Sequence, residues 1–465
     1  MRYFLFIIIV ILAKPLASQN WEAISAKPDR PFTFLWKDTV QNLLYASGFD
    51  CSKLGNDSTY NLTSYNGSFW KPINKGLRDN SYFTGNASVL SATHYKKKIL
   101  FGGYFYAADT VKQACIVLYN RTGFERFLPE PFTKKQYNVV VRTSIVFQDT
   151  LYIGGGFDSI QGKPAKGLAK LVGNNWVPIF LGTEYQDMIY KLIEYRGELY
   201  VIGGFTNSNI NDGHNGILKL KNNLWQPVGG GLKGTGVNRA ICAAVYNDEL
   251  YMGGEFQKSS GNQGHNIQKW NGITWSDVGT TSDATMGGIW DMKVVKNKLF
   301  IYGGFDFIGD GTIPTEVGLA MWNGLNWCSS NDDIFDLNTL TALEYYNEKI
   351  IVSGIFHSIN NDSTNAHLAR LKCDDFCSDT CKYEIPPTYA DNFTIFPNPN
   401  NGLFTINANG YVPNNATTKL YNALGQKIID SPFMATINLQ GYASGLYYLQ
   451  IVMVNKTYNY KIIVE

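Results

Sequence analysis

The sequence predicts an all-β chain: a β-propeller of about seven four-stranded blades, followed by a small immunoglobulin-like β-sandwich. Three observations carry that prediction. A segment of seven residues recurs seven times at a period near fifty; a second aromatic follows each copy at a nearly fixed offset; and the period stops at Cys381, where a different pattern begins. A repeat of 20 to 50 residues decides the fold before any other feature.

The recurring segment reads Leu43 to Phe49, Ile99 to Phe105, Leu151 to Phe157, Leu199 to Phe205, Leu250 to Phe256, Leu299 to Phe305 and Ile350 to Phe356. The steps between its closing phenylalanines are 56, 52, 48, 51, 49 and 51 residues. Trp70, Phe124, Trp176, Trp225, Trp275, Trp327 and Phe376 follow those phenylalanines by 21, 19, 19, 20, 19, 22 and 20 residues. Within one unit, Ile241 to Tyr246, Leu250 to Phe256, Ile267 to Trp270 and Thr274 to Val278 read as four short strands joined by Asn-Asp, Gly-rich and Asn-Gly turns. Four strands per repeat make one blade. The glycine pairs of the second strand let backbones approach closely near the axis, and the recurring Trp offers a large apolar surface to the neighbouring blade.

Asn20 to Ile24 resembles the fourth strand at Asn175 to Ile179 but precedes the first full repeat. It is expected to close the ring as the outer strand of the last blade. Phe376 already holds the Trp position of that blade, so a fifth strand is the alternative.

These residues resemble kelch-like and delta-60-type propellers, extracellular ones above all. The likeness is carried by an LYxGGxF pattern with Trp270-Asn-Gly-Ile-Thr-Trp275 and Trp322-Asn-Gly-Leu-Asn-Trp327. It spans roughly residues 20 to 380, within a propeller domain bounded at 20–382, and implies a fold, not a function, because propellers host unrelated activities.

The N-terminus sets the compartment. Arg2 precedes an apolar run from Tyr3 to Leu12, and small residues follow up to Gln19. That order marks residues 1–19 as a signal peptide. The run is about half of the roughly 20 residues needed to span a bilayer, and no later stretch can serve as a transmembrane anchor. No cysteine occurs before Cys51, so no lipid anchor is expected.

Residues 383–392 (Tyr383 to Asn392, with Pro386-Pro387) read as a linker. From Phe393, short alternating segments recur every eight to twelve residues, as in a small β-sandwich. Three strings there resemble the type A C-terminal sorting domain of the type IX secretion system: Pro397-Asn-Pro399, Leu424-Gly-Gln-Lys-Ile428, and Ser444-Gly-Leu-Tyr-Tyr-Leu449 before a terminal strand at Lys461 to Glu465. The likeness covers residues 393–465. It implies the type IX secretion machinery as a partner, and a protein that is secreted or held at the outer cell surface.

The chemistry is mostly negative. A formal net charge of +2 with scattered lysines lacks the basic stripe of a nucleic-acid binder. Gly229 to Gly234 matches G-x-G-x-x-G, but the element after it, Ala240 to Tyr246, reads as a strand, whereas a phosphate cradle needs a helix N-terminus. Of the histidines 94, 214, 265, 357 and 367, His214 and His265 each fall nine residues after their blade's Phe, a blade width apart, so shared metal ligation is not expected, and Asp306 to Gly311 and Asn209 to Gly213 lack the ligand order of calcium loops. Of seven cysteines, Cys373, Cys377 and Cys381 form a tight cluster; a local disulfide is expected there, with one cysteine left over. The sequence therefore singles out no catalytic, cofactor-binding or metal-ligating residue, and no cofactor. A glycosidase needs converging carboxylates, for which Asp158, Asp187, Glu255, Asp291 and Glu316 are the loop candidates. The expected function is a secreted or cell-surface binding and adhesion scaffold whose ligand is a glycan or protein. The rival is a carbohydrate-active hydrolase or lyase.

Overall fold

The structure, a computed structural model, describes residues 21–24, 28–49, 51, 53–58, 61–78, 87–132, 139–207, 213–232, 239–257, 262, 264–278, 288–305, 307–309, 313–315, 318–329, 339–358, 366–372, 393–408, 416–453 and 456–465. The described residues are all-β, with no helix, and the chain divides into two compact units, Met1–Tyr383 and Glu384–Glu465.

The first unit holds seven four-stranded antiparallel sheets among its described residues. Each begins with a first strand: Phe34–Asp38, Ser88–Tyr95, Val140–Phe147, Tyr185–Tyr195, Arg239–Tyr246, Ile289–Val295 and Thr339–Tyr346. Each first strand packs against the first strand of the next sheet, and the seventh returns to the first, so the inner strands close a ring.

The seventh sheet borrows its fourth strand from the other end of the chain. Trp21–Ala23 pairs antiparallel with Leu368–Lys372, and Trp21 stands opposite Leu371. Trp176 stands opposite Leu171 and Trp275 opposite Trp270 in the same way, so Trp21 takes the register place of the recurring Trp. The fifth-strand alternative is thereby overturned; Phe376, which prompted it, lies outside the described residues. Glu22 secures the exchange by pairing with Lys349 at 2.8 Å and Arg370 at 2.9 Å.

Neighbouring sheets are joined by two repeated hydrogen bonds. The indole N–H donates to a carbonyl of the preceding sheet's end: Trp176 to Pro129 at 3.1 Å, Trp275 to Val228 at 3.0 Å, and Trp327 to Val278. A tyrosine hydroxyl at the end of a first strand donates to the next sheet's hairpin: Tyr195 to Asp248, Tyr246 to Asn297 and, across the closure, Tyr346 to Asn42 at 2.7 Å. Both bonds satisfy the polar tip of a ring whose body is buried between sheets.

The glycines of the repeat have a more specific cause than general crowding. At Gly48, Gly103, Gly155, Gly203, Gly254, Gly303 and Gly354, an added Cβ would meet a carbonyl oxygen of the first strand or of the residues just before it at under 3.0 Å. The partners run from Pro31 through Val140 and Arg239 to Thr339. In six of the seven repeats that glycine lies two residues before the closing Phe. In the first it lies one before, and Phe49 is accordingly displaced: it is 38% exposed, whereas the other six phenylalanines are 7% exposed or less. Cys51, fully buried, helps fill the first sheet's core instead.

Among the described cysteines, Cys328 is disulfide-bonded, while Cys51, Cys115 and Cys242 are buried thiols outside any disulfide. Cys373, Cys377 and Cys381 lie outside the described residues, as do the signal-peptide and linker segments.

The second unit has two sheets. One contains Phe393–Phe396, Leu403–Ala408 and Thr436–Asn438; the other contains Lys427–Pro432, Thr417–Asn422, Gly445–Met453 and Lys456–Val464. Phe404, Ile406, Leu420, Ile437, Leu449 and Ile462 meet in one core. The terminal strand begins at Lys456, five residues before the expected Lys461, because Thr457 to Asn459 continue the pairing with Gln450 to Val452.

Two outcomes follow. Trp21→Ala removes a 3% exposed indole from the closure and should lower unfolding free energy by about 3–5 kcal/mol in urea titration. Gly254→Ala forces a methyl onto the backbone oxygen of Arg239 and should destabilise by about 1–3 kcal/mol in the same assay.

Candidate binding site

The glycine contact sits beneath a β-bulge. In sheets two to seven the first strand carries one extra residue where it crosses the glycine: Leu90, Arg142, Tyr190, Ile241, Trp290 and Thr341. A bulge leaves its extra residue out of the ladder and re-aims the side chain. Each of the six lies fifteen positions before the closing Phe of its repeat, as Leu90 does before Phe105 and Thr341 before Phe356. All six line one cavity of about 470 Å³ on the ring axis, where Thr33, Phe34 and Trp36 represent the first sheet.

Residues of the same strands just past the bulge complete the wall, among them Ser91, Lys191, Asp291 and Lys293. The charges fall into two groups. Lys293 forms an ion pair with Glu344 of the seventh sheet, and Glu344, 4% exposed, also accepts the Lys37 N–H at 3.3 Å. Arg142 and Lys191 have no carboxylate within ion-pair distance among the described residues. The Arg142 guanidinium instead lies over the Tyr190 ring, 5.1 Å from its centre. Water reaches Arg142 through the cavity, yet protein surrounds it. That enclosure holds its pKa below the ordinary arginine value, while Tyr190, Asp291 and Tyr302 act in the opposite sense.

Among the described residues that line the cavity, Asp291 is the one carboxylate. It stands in register with Tyr302, whose hydroxyl donates to the Thr341 carbonyl at 3.2 Å. Burial, then Asp291, pushes the Tyr302 phenol well up, so it stays protonated and cannot serve as a base. Burial likewise pushes the Cys242 thiol up, which makes it inert as a nucleophile.

Of the five loop carboxylates, the three with described side chains make separate contacts. Asp291 reaches the axial cavity. Glu255 pairs with Arg239 across its own hairpin at 3.0 Å, and Asp158 accepts the Ser159 hydroxyl in a turn at 3.1 Å. The side chain of Asp187 and all of Glu316 lie outside what is described. Among the described residues no group of three His, Cys, Asp or Glu could hold a metal ion. His94 bonds the buried Asp38, which also pairs with Arg121. The glycine run at Gly229 supports packing: a Cβ on Gly229 would strike Trp270 and Trp275, and the next described element is the strand Arg239–Tyr246. Within the two loops compared with calcium sites, Asp306 and residues 209–212 lie outside the described residues.

Comparison with known proteins bears on the tail. Residues 394–465 match the family described as Secretion system C-terminal sorting domain. The chain is therefore secreted through the type IX system, to the cell surface or beyond. No described helix is long and apolar enough to cross a membrane. No curated protein matches the chain. Among solved structures, the extracellular domain of a one component system from B. thetaiotaomicron is similar at 11% identity and TM-score 0.47, over 95% of this chain and 52% of that one. The chain thus spans about half the length of that domain. YjhT is similar at 12% identity and TM-score 0.32, over 67% of this chain and 98% of its own. A glycoside hydrolase is similar at 12% identity and TM-score 0.27, over 95% and 96%. These distant likenesses say nothing of what the axial cavity holds.

The charge arrangement has a measurable consequence for stability. Arg142→Gln and Lys191→Gln break no ion pair and should shift unfolding free energy by less than about 1 kcal/mol. Glu344→Ala strands Lys293 and should cost about 1–3 kcal/mol in denaturant unfolding.

Proposed function

We propose that the chain is a secreted, non-catalytic binding protein. In this reading residues 1–19 are a signal peptide, residues 20–382 a kelch-like seven-bladed propeller that binds its ligand on the axis, residues 383–392 a linker, and residues 393–465 an immunoglobulin-like sorting domain. One observation carries the choice of site: six successive first strands each spend a bulge on turning one side chain into the same cavity. Bulges interrupt the ladder, and they concentrate where side chains must be re-aimed for use. A cavity of about 470 Å³ falls within the roughly 300–1,000 Å³ typical of small-molecule sites.

Binding without turnover is favoured over hydrolysis by the acid count. Glycoside hydrolysis ordinarily uses two carboxyl groups facing one bond. Among the described residues Asp291 is the one carboxylate on the cavity, and the nearby acid of the seventh sheet, Glu344, is committed to Lys293. The fold could serve adhesion at the cell surface, where the sorting domain delivers it.

The intact chain should bind members of a glycan and matrix-polymer array without releasing products, and Ile241→Trp, which fills the axis, should abolish that binding. Product release would overturn the reading in favour of the hydrolase, and unchanged binding by Ile241→Trp would move the site elsewhere. Separately, deletion of residues 393–465 should leave the protein in the periplasm, as fractionation and immunoblotting would reveal.

A further inference from the structure

We infer that the axial site takes an acidic saccharide, one whose carboxylate meets Arg142 and Lys191 and whose hydroxyls meet Asp291. The inference rests on the axial-site reading above and adds the chemical class of the ligand.

The argument begins with the distribution of charge. Arg142 on the third sheet and Lys191 on the fourth are successive contributions to one side of the ring, and neither has a carboxylate partner among the described residues. Lys293 is already neutralised by Glu344. Among the described residues the cavity thus keeps two cations outside any ion pair, Arg142 and Lys191, against one acid, Asp291. A guanidinium that opens on the cavity and is stacked on an aromatic ring, with no carboxylate at ion-pair distance among the described residues, has its planar donor fork free for an incoming oxyanion. A carboxylate matches that fork with two parallel hydrogen bonds.

The rest of the wall selects the body that carries the carboxylate. Asp291 offers only acceptors when ionised, so it suits a ligand rich in hydroxyl donors. Trp36, Tyr190 and Trp290 give the cavity flat apolar faces between these polar points. A sugar ring has both an apolar face and a rim of hydroxyls; a simple fatty acid or inorganic anion would leave Asp291 unpaired and repelled. A nucleotide would need more phosphate donors than one arginine and one lysine, and the glycine run that might have supplied them packs under tryptophans.

The test is isothermal titration of the intact chain with three sets of oligosaccharides: oligouronates as free acids, the same oligomers as methyl esters, and sulfated oligomers of neutral sugars. Free uronates should bind, the methyl esters should bind at least about tenfold more weakly, and sulfated oligomers should fall below the uronates. Monomeric and oligomeric uronates distinguish a free sugar from the end of a polymer. Arg142→Gln should weaken uronate binding at least about tenfold with an unchanged thermal midpoint, and Arg142→Lys should restore part of it. Asp291→Asn should weaken uronate and ester alike. Equal binding of acid and ester, preference for the sulfated set, indifference to Arg142→Gln, or no binding by any uronate would each overturn the acidic-sugar assignment. Ile241→Trp separates the two levels of the argument. If it abolishes binding that Arg142→Gln leaves intact, the axial site stands and the acidic ligand falls; if it leaves uronate binding intact, the axial site itself falls.

Discussion

The contact between one glycine and one carbonyl oxygen, repeated in every sheet of the ring, sets the terms for the rest of the first unit. The second strand must pass the first at a distance no Cβ permits, as at Gly155 over Val140 or Gly303 over Gly288. In six sheets the first strand answers that approach with an extra residue, and the extra residue faces the axis. Scaffold and site are therefore one construction. The glycine is fixed by backbone sterics, whereas the bulged side chain a few ångströms away meets no ladder constraint and is Leu, Arg, Tyr, Ile, Trp or Thr in turn.

That division explains what could be read from the sequence. Period, strand content and the closing strand at Trp21 were all legible because each depends on residue types that sterics or burial enforce: glycine where backbones meet, Trp where a buried sheet end needs covering. The site was far less legible. Asp291 stood among five carboxylates with nothing to distinguish it, and Arg142, Lys191 and Glu344 drew no attention at all. The signal that marks the axial residues is a place, fifteen before each closing Phe, and not a chemistry, so a search for catalytic motifs passes over it. The first repeat shows the limit of the alignment as well. Phe49 fits the pattern of its siblings, but its glycine is one residue nearer, and the side chain is left exposed at the cavity while Cys51 takes its share of the core.

Electrostatics separate structure from function in a similar way. The ion pairs Glu22 with Lys349 and Arg370, and Glu344 with Lys293, tie strands to one another across the closure and between sheets. Hydrogen bonding to Lys349 is the foremost cause holding the Glu22 carboxyl below its usual range. Arg142 and Lys191 stand on the axis outside such pairs among the described residues, and Arg142 is stacked on Tyr190 instead.

The borrowed strand also imposes a sequence in time. Trp21–Ala23 leaves the ribosome first among the ring's strands, yet its partner Leu368–Lys372 is the last of them to appear. Until that partner arrives, the seventh sheet has no outer strand and the ring is an open arc with two bare flanks. Such non-local pairing slows folding, and unpaired edges invite association with other chains. Pairing Trp21–Ala23 with Leu368–Lys372 covers both flanks at once and turns the arc into a closed ring.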